Sequence, residues 1–383
     1  MKISKFQFED KSLEWRLEEL QLNKLTLLVG ASGVGKTQIL RALMGLRQIT
    51  NGSSINGVAW IVEFETLSGQ KYIWLGEFEN KRISIFIEDE NDEEYKKNRA
   101  KIVFEKLYLD GHLIVERTSE RILFNGQPTI KLSQQESILS ILKEEDLVKP
   151  AHEEFKHLYL YDYSNSEGTI NSFNFLNANQ LLGKYNTLQK IRESELETPL
   201  KLFFLSKIDR KTFDLIKQRF IDIFPEVEDL KIAPLIANGQ DIPDFLKDYT
   251  FIQIKERSVK HWINHTRISS GMLRTLLQLS DLYLCADGTI FLIDEFENSL
   301  GINCINEITN DILSSRRQLQ FILTSHHPYI IDAIGFENWK LVTRNGGIIK
   351  THNISKFNIG KSKHSAFMQL LQLDEYQTGQ EQI

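Results

Sequence analysis

The run LTLLVGASGVGKTQILRAL, Leu25 to Leu43, constrains the chain more than any other stretch. An apolar strand pattern, Leu25 to Val29, leads into G-x-x-x-x-G-K-S/T with Gly30, Gly35, Lys36 and Thr37 at the fixed positions. A helix pattern, Gln38 to Leu46, follows at once, and this strand-loop-helix setting is the one the motif needs. Glycines let backbone N–H groups converge on phosphate oxygens, and the helix start adds partial positive charge in the same direction. Lys36 is predicted to reach the β- and γ-phosphates, and Thr37 to place its hydroxyl on Mg²⁺. Gly30, Ala31, Ser32, Gly33, Val34, Gly35, Lys36, Thr37 and Gln38 together form the expected nucleotide cradle. A chance glycine turn would not match the motif and both flanking elements. The motif alone leaves kinase, GTPase and ATPase chemistry open.

A second constraint is TIFLIDEFENSL. Four apolar residues, Ile290 to Ile293, read as a buried parallel strand that delivers Asp294 and Glu295 to its C-terminal end, beside the phosphate loop. Asp294 is expected to hold Mg²⁺ through its water shell, and Glu295 to polarise an attacking water as general base. On a lone strand, two solvated acids in a turn would be the better reading. The phosphate loop upstream reverses that preference and favours hydrolysis over transfer to a small acceptor.

The 383 residues allow two or three compact lobes. Short β-branched and aromatic runs fill the first 130 or so positions: Lys2 to Phe8, Leu25 to Val29, Val58 to Thr66, Tyr72 to Glu77, Ile83 to Glu88, Ile102 to Leu109 and Leu113 to Arg117. Their alternation predicts antiparallel strands interrupted by one helix. From about Ser133 to Lys260 the pattern turns helical, with Phe213, Ile216, Phe220 and Ile223 on one face of a helix over Arg210 to Phe224. From His261 onward helices alternate with the strands Ile290 to Ile293 and Phe321 to Leu323, which predicts a parallel sheet. The expected lobes are therefore 1–132, 133–260 and 261–383.

Forty-six Lys and Arg against 52 Asp and Glu give a net charge of −6, not the basic footprint of a dedicated nucleic-acid binder. The local candidates for phosphate-backbone contact are Lys96 to Lys101, Lys207 to Arg219 and Lys361 to His364, for each of which a solvated face is the better reading. No apolar run reaches the roughly 18 residues a membrane span needs, and the alternating start does not resemble a signal peptide. The expectation is a soluble cytoplasmic protein with no membrane partner, in which Cys285 and Cys304 are reduced packing residues.

Three further segments make the whole resemble the ABC ATPase family. RISSGMLRTLLQL is similar to the family's signature, with Ser269 and Gly271 in its Ser-x-Gly positions, a helix beginning at once, and Gly271 lying 23 residues before Asp294. The resemblance implies that this cap binds the γ-phosphate held by an opposite subunit. FILTSHHPYIID is similar to the switch-histidine segment, and alignment on Pro328 selects His326 over His327 as the γ-phosphate sensor, 32 residues after Asp294. ENSLG resembles the D-loop that crosses the dimer interface, with Asn298 and Ser299 near its centre. For the Q-loop, KLSQQESIL offers Gln134 or Gln135 as a metal-site residue. No aromatic presents itself for adenine stacking, and Phe6 and Phe8 read as strand core.

The fold implied is α/β: an ABC-type head with an N-terminal antiparallel β lobe, a parallel-sheet core carrying the phosphate loop, and an inserted helical lobe. ATP and Mg²⁺ are the implied cofactors. ISKFQFED followed by LEELQLNKLTLLVGASGVGKTQILRALMGL resembles the soluble RecF, SMC and overcoming-lysogenisation-defect ATPases, while the 236 residues from Gly35 to Gly271 and Met272 in place of a transporter signature's Gln argue against a transporter subunit. That branch implies ATP-dependent pairing of two heads, and among bacteria a defence role beside a separately encoded effector. The alternative is a RecF-like or SMC-like ATPase acting on DNA. A third reading, an ATP-bound structural module with little turnover, sits poorly with Glu295 and His326 together.

Overall fold

The computed structural model of the chain describes residues 1–81, 99–161, 181–234, 250–298, 302–314, 317–357 and 363–381. The expected strand Ile83 to Glu88, the D-loop residue Ser299 and much of two basic stretches lie outside them.

The chain opens with β1 (Lys2–Asp10), β2 (Trp15–Gln21), β3 (Leu25–Val29) and α1 (Lys36–Thr50). An antiparallel run follows: β4 (Val58–Glu65), β5 (Lys71–Phe78), β6 (Ile102–Leu109), β7 (His112–Thr118), β8 (Ile122–Phe124) and β9 (Gln127–Pro128). Then come α2 (Ile138–Ile141), α3 (Lys149–Phe155), β10 (Leu158–Tyr161), α4 (Leu188–Arg192), α5 (Thr198–Ile208) and α6 (Arg210–Ile223). Strands β11 (Val227–Pro234), β12 (Thr250–Glu256) and β13 (Ile263–Asn264) precede α7 (Ser270–Leu284) and β14 (Ile290–Ile293). The remainder is α8 (Ile302–Ser314), β15 (Gln320–Thr324), α9 (Pro328–Ala333), β16 (Trp339–Asn345), β17 (Ile348–Asn353), α10 (Lys363–Gln372) and α11 (Asp374–Thr378).

Two compact units result: Met1–Asp162 with Asp287–Phe296 and Arg316–Ile383, and Tyr163–Ala286 with Glu297–Ser315. These lines differ from the boundaries expected at 132/133 and 260/261. Residues such as Ile138, Leu139, Ala151 and Phe155 bury in the core that contains α1, whereas Leu273, Leu276 and Leu279 bury with Phe213 and Phe220.

In the first unit one mixed sheet runs β10-β14-β15-β3-β16-β17-β2-β1-β4-β5-β6-β7-β8-β9 among the described residues. Its β10-to-β16 portion is parallel. Strands β3, β14 and β15 are buried at every position, as mostly apolar strands covered on both faces should be. From β1 through β9 the pairing is antiparallel, and β4 and β5 alternate buried and half-exposed residues. Sequence patterning missed the link between these halves, the β16–β17 hairpin and β2, which pairs in parallel with β17. Helix α1 buries Ile39, Leu40, Leu43, Leu46 and Ile49 at helical spacing and extends one turn past its expected end.

The second unit combines α4 to α8 with the antiparallel sheet β11-β12-β13, so the inserted region is not purely helical. Helix α6 starts on Asp209, whose side chain accepts the Thr212 N–H, and buries Phe213, Ile216, Phe220 and Ile223 as expected. Both Cys285 and Cys304 are buried and outside any disulfide. No helix among the described residues is long and apolar enough to cross a membrane.

Candidate nucleotide-binding site

The phosphate loop takes its shape from local sequence and from one neighbouring hairpin. Strand β3 ends at Val29, and Gly30 turns so close to β16 that a Cβ there would stand 2.5 Å from the Val342 carbonyl oxygen. Gly35 is left-handed, with φ of 99°, and forms the N-cap of α1 against Ile349 of β17. Ile39 N–H donates to the Gly35 carbonyl at 3.0 Å, so the amides of Lys36, Thr37 and Gln38 belong to the first turn, where helical N–H groups have no intrahelical acceptor. The Lys36 ammonium, on a side chain only 7% exposed, donates to the carbonyls of Gly30 at 2.9 Å and Ala31 at 2.8 Å. It is thereby fixed across the mouth of its own loop. Ser32 and Gly33 are exposed, and Thr37 is half-buried.

The acidic pair arrives on the same edge of the sheet. Ile293 and Leu27 are both in register with Leu323, which sets the end of β14 two strands, roughly 10 Å, from the strand that feeds the loop. Between them Thr324, at the end of β15, holds the turn. Its hydroxyl donates to Asp294 Oδ1 at 2.6 Å and accepts the Glu295 N–H at 2.8 Å, while its carbonyl accepts the Phe296 N–H at 3.0 Å. These bonds enforce a left-handed Glu295, with φ of 46°, a conformation that costs a non-glycine residue about 1–2 kcal/mol. Asp294 is 8% exposed, with its carboxylate held by the Thr324 hydroxyl, whereas Glu295 is exposed. Thr324 escaped sequence reasoning as a functional residue. The signal was present in its place at the end of an apolar strand beside two histidines.

His326, two residues beyond Thr324, is exposed, and His327 is half-buried. The His327 N–H donates to Ser325 Oγ at 3.0 Å, its ring stacks on Tyr329 at 5.5 Å, and its buried Nδ1 has no hydrogen-bond partner among the described residues. His326 is thus the more exposed member of the pair. The Thr37 hydroxyl, in the first turn of α1, and the Asp294 carboxylate, just after β14, are hard oxygen donors that suit a small divalent cation whose remaining positions go to phosphate and water.

Other expected residues are not brought there. The Gln134 side chain donates to the Ser119 carbonyl and Gln135 to the Arg99 carbonyl, both at 3.4 Å. Arg99 in turn donates to the Gly52 carbonyl, and Gly52 lies two residues beyond α1. Thr37 is at the other end of that 15-residue helix, about 21 Å away at 1.5 Å per residue, farther than a glutamine reaches. The structure thus corrects the Q-loop placement. On the side of the acidic strand away from β15 lies β10, whose Tyr161 carbonyl accepts the Asp294 N–H at 3.1 Å. The Gln134–Gln135 segment is instead clamped by a buried ion pair. Arg117 donates to the Ser133 and Glu136 carbonyls at 2.5 and 2.6 Å, and Glu105 accepts from Ser137 Oγ at 2.5 Å, Trp74 Nε1 at 2.8 Å and Ile138 N–H at 2.9 Å. Burial pushes the Glu105 carboxyl up and the Arg117 guanidinium down, against their 3.8 Å attraction.

In the second unit Ser269 caps α7, its hydroxyl accepting the Met272 N–H at 3.2 Å; Ser269 and Ser270 are exposed and Gly271 is half-buried. Asn298 is half-buried. In the basic run Lys207 to Arg219 three of the five cations are ion-paired: Arg210 with Asp214 at 3.1 Å, Lys217 with Asp229 at 3.0 Å, and Arg219 with Asp311. Phe6 and Phe8 are core residues, with Phe8 packed on Trp15 at 5.3 Å.

A family model described as "AAA domain, putative AbiEii toxin, Type IV TA system" matches residues 25–332. No curated protein gives a significant match. Similar solved structures include an Smc head bound to the C-terminal winged-helix domain of ScpA, with 16% identity, TM-score 0.45 and coverage of 93% of this chain and 100% of that one. The SMC head domain from Thermotoga maritima gives 12% identity, TM-score 0.42 and coverage of 92% and 99%. An Smc head with an extended coiled coil, bound to the C-terminal domain of ScpA derived from Pyrococcus furiosus, gives 13%, 0.42, 97% and 98%. At such values nothing about ligands or partners follows from the likeness.

Proposed function

We propose that this chain, which belongs to the AAA-domain family whose description names a putative AbiEii toxin of a type IV toxin–antitoxin system, binds and hydrolyses ATP with Mg²⁺ and pairs head to head on ATP. The observation that carries this reading is the Asp294–Glu295 turn gripped by Thr324, on the sheet edge that also carries the phosphate loop.

The roles follow from chemistry. The first-turn amides of α1 and the Lys36 ammonium bind the phosphate oxygens, so that the loop carbonyls give up part of the lysine. Thr37 and Asp294 would hold Mg²⁺, which when bound neutralises charge on the β- and γ-phosphate oxygens. Glu295, exposed at the turn, orients a water and accepts its proton, while His326 hydrogen-bonds a γ-phosphate oxygen. Ser269 and Gly271 of a second copy would cap that phosphate from the other side. The exposure of Ser269 at the start of a 15-residue helix supports this role.

In the cell we place the protein in the cytoplasm as the sensor or regulatory ATPase of a prokaryotic anti-phage defence system, its ATP-dependent pairing controlling a separately encoded effector. The toxin–antitoxin wording of the family description supports the two-component part of this reading. The pairing of Arg210, Lys217 and Arg219 with carboxylates speaks against the alternative of a RecF-like or SMC-like machine on DNA. The test is phosphate release with purified protein. Lys36→Ala should lose ATP binding, and Glu295→Gln should keep binding, stop turnover and accumulate as a pair. Parental turnover in Glu295→Gln would sink the base assignment, and salt-sensitive, ATP-enhanced DNA affinity would favour the DNA machine.

A further inference from the structure

The segment Asp374–Glu381 has no place in the site built above, yet it touches the phosphate loop. Helix α11 ends at Gly379, buried and left-handed with φ of 74°. A Cβ there would overlap Val34 Cγ1 and come within 3.3 Å of Ala31 Cβ, so the backbone of residue 379 rests directly on the two apolar side chains of the loop. Its carbonyl accepts the Arg344 N–H at 2.7 Å. The partner is telling, because β16 pairs with β3 only as far as Leu341 and Val29. Beyond that point β3 turns away into the loop, and Gly379 supplies the acceptor that β3 no longer offers. Arg344 also donates from Nη1 to Gln38 Oε1 at 3.0 Å, which ties the first turn of α1 to the same spot. The far end of the segment is anchored on β17, where Glu381 meets Lys350 Nζ at 2.7 Å and His352 Nε2 at 3.1 Å. Residues 30–35 therefore sit between Val342 and Ile349 on one side and Gly379 on another.

We infer that this segment is a bracket that holds residues 31–35 in the shape that receives phosphate, making Gly379 a positioning residue for nucleotide affinity and not for the chemical step. The inference rests on reading residues 30–37 as a nucleotide loop. A loop already ordered by its neighbours pays no ordering cost when the ligand arrives. With the bracket displaced, that cost falls on binding.

The test is a double-mutant cycle on the full chain, with ATP dissociation constants from fluorescent-nucleotide competition and kcat at saturating ATP. Gly379→Ala should weaken ATP binding about tenfold, the factor expected when one more loop residue must be ordered on binding, and leave kcat within about twofold. Val34→Ala removes the methyl groups that the new Cβ meets. The double variant should therefore bind better than the product of the single effects allows, whereas strain confined to a left-handed alanine would leave those effects multiplicative. Should Gly379→Ala not fold, Glu381→Ala, which touches only the anchor, should weaken ATP binding in the same direction by a smaller factor. Wild-type affinity in the folded Gly379 variant, multiplicative effects in the cycle, or wild-type affinity in Glu381→Ala where that variant stands in, would each overturn the bracket. A parent protein that fails to bind ATP would instead sink the proposed function and the bracket with it.

Discussion

Replacing Thr324 with Val removes one oxygen and tests how much of the site hangs on it. The side chain is 1% exposed, and Val fills the same space. What disappears is the 2.6 Å bond to the Asp294 carboxylate and the acceptor of the Glu295 N–H at 2.8 Å. A hydrogen bond to a charged group contributes about 1.5–3 kcal/mol, and an N–H left unsatisfied costs about 1–3 kcal/mol. The left-handed Glu295, with φ of 46°, would also relax, because the bond that holds its amide is gone. If about 2 kcal/mol of this is felt at the transition state, kcat falls roughly 30-fold. The KM for ATP should stay near the parental value, since Lys36 and the loop amides are untouched. Thr324→Ser restores the hydroxyl and should recover most of the rate. Steady-state phosphate release at saturating ATP reads all of this. A Thr324→Val protein that turns over within threefold of its parent, while Glu295→Gln is inactive, would refute the argument.

Other perturbations follow from the same geometry. Ser269→Arg should leave ATP binding by a single head intact but abolish ATP-dependent association; light scattering that shows the parental mass increase would remove Ser269 from any pairing surface. Arg117→Met strands the fully buried Glu105 carboxylate and frees the Ser133 and Glu136 carbonyls, so urea unfolding should show a loss of about 3–5 kcal/mol, and a loss below about 1 kcal/mol would contradict the clamp. His352 is held below its ordinary value of 6.5 by burial, which outweighs the opposing pull of Glu381. The unfolded chain then takes up the proton first, so this residue's contribution to stability is present above about pH 6.5 and is lost as pH falls through the depressed folded value. His352→Gln should flatten the stability-against-pH curve in that window, and an unchanged slope in pH-dependent melting would count against the assignment.

The residues themselves fixed whatever depends on contiguous chain. Leu25–Val29, Ile102–Leu109 and Ile290–Ile293 form strands with the bounds their patterns indicate. Burial on one or both faces leaves its period in adjacent positions, which is where these bounds came from. The loop lysine and the acidic pair were legible because each sits at the end of such a strand. Tertiary structure alone decided which strand ends meet. Gln134 and Gln135 had the right residue type but lie by the wrong end of α1. Thr324 became a partner of Asp294, 30 positions upstream, only through the register of β14 with β15. Gly379 reached Val34 only because β3 leaves β16 unpaired past Leu341. Sheet order and register are set by which apolar faces bury together across the whole chain, and no window of neighbouring residues contains that information.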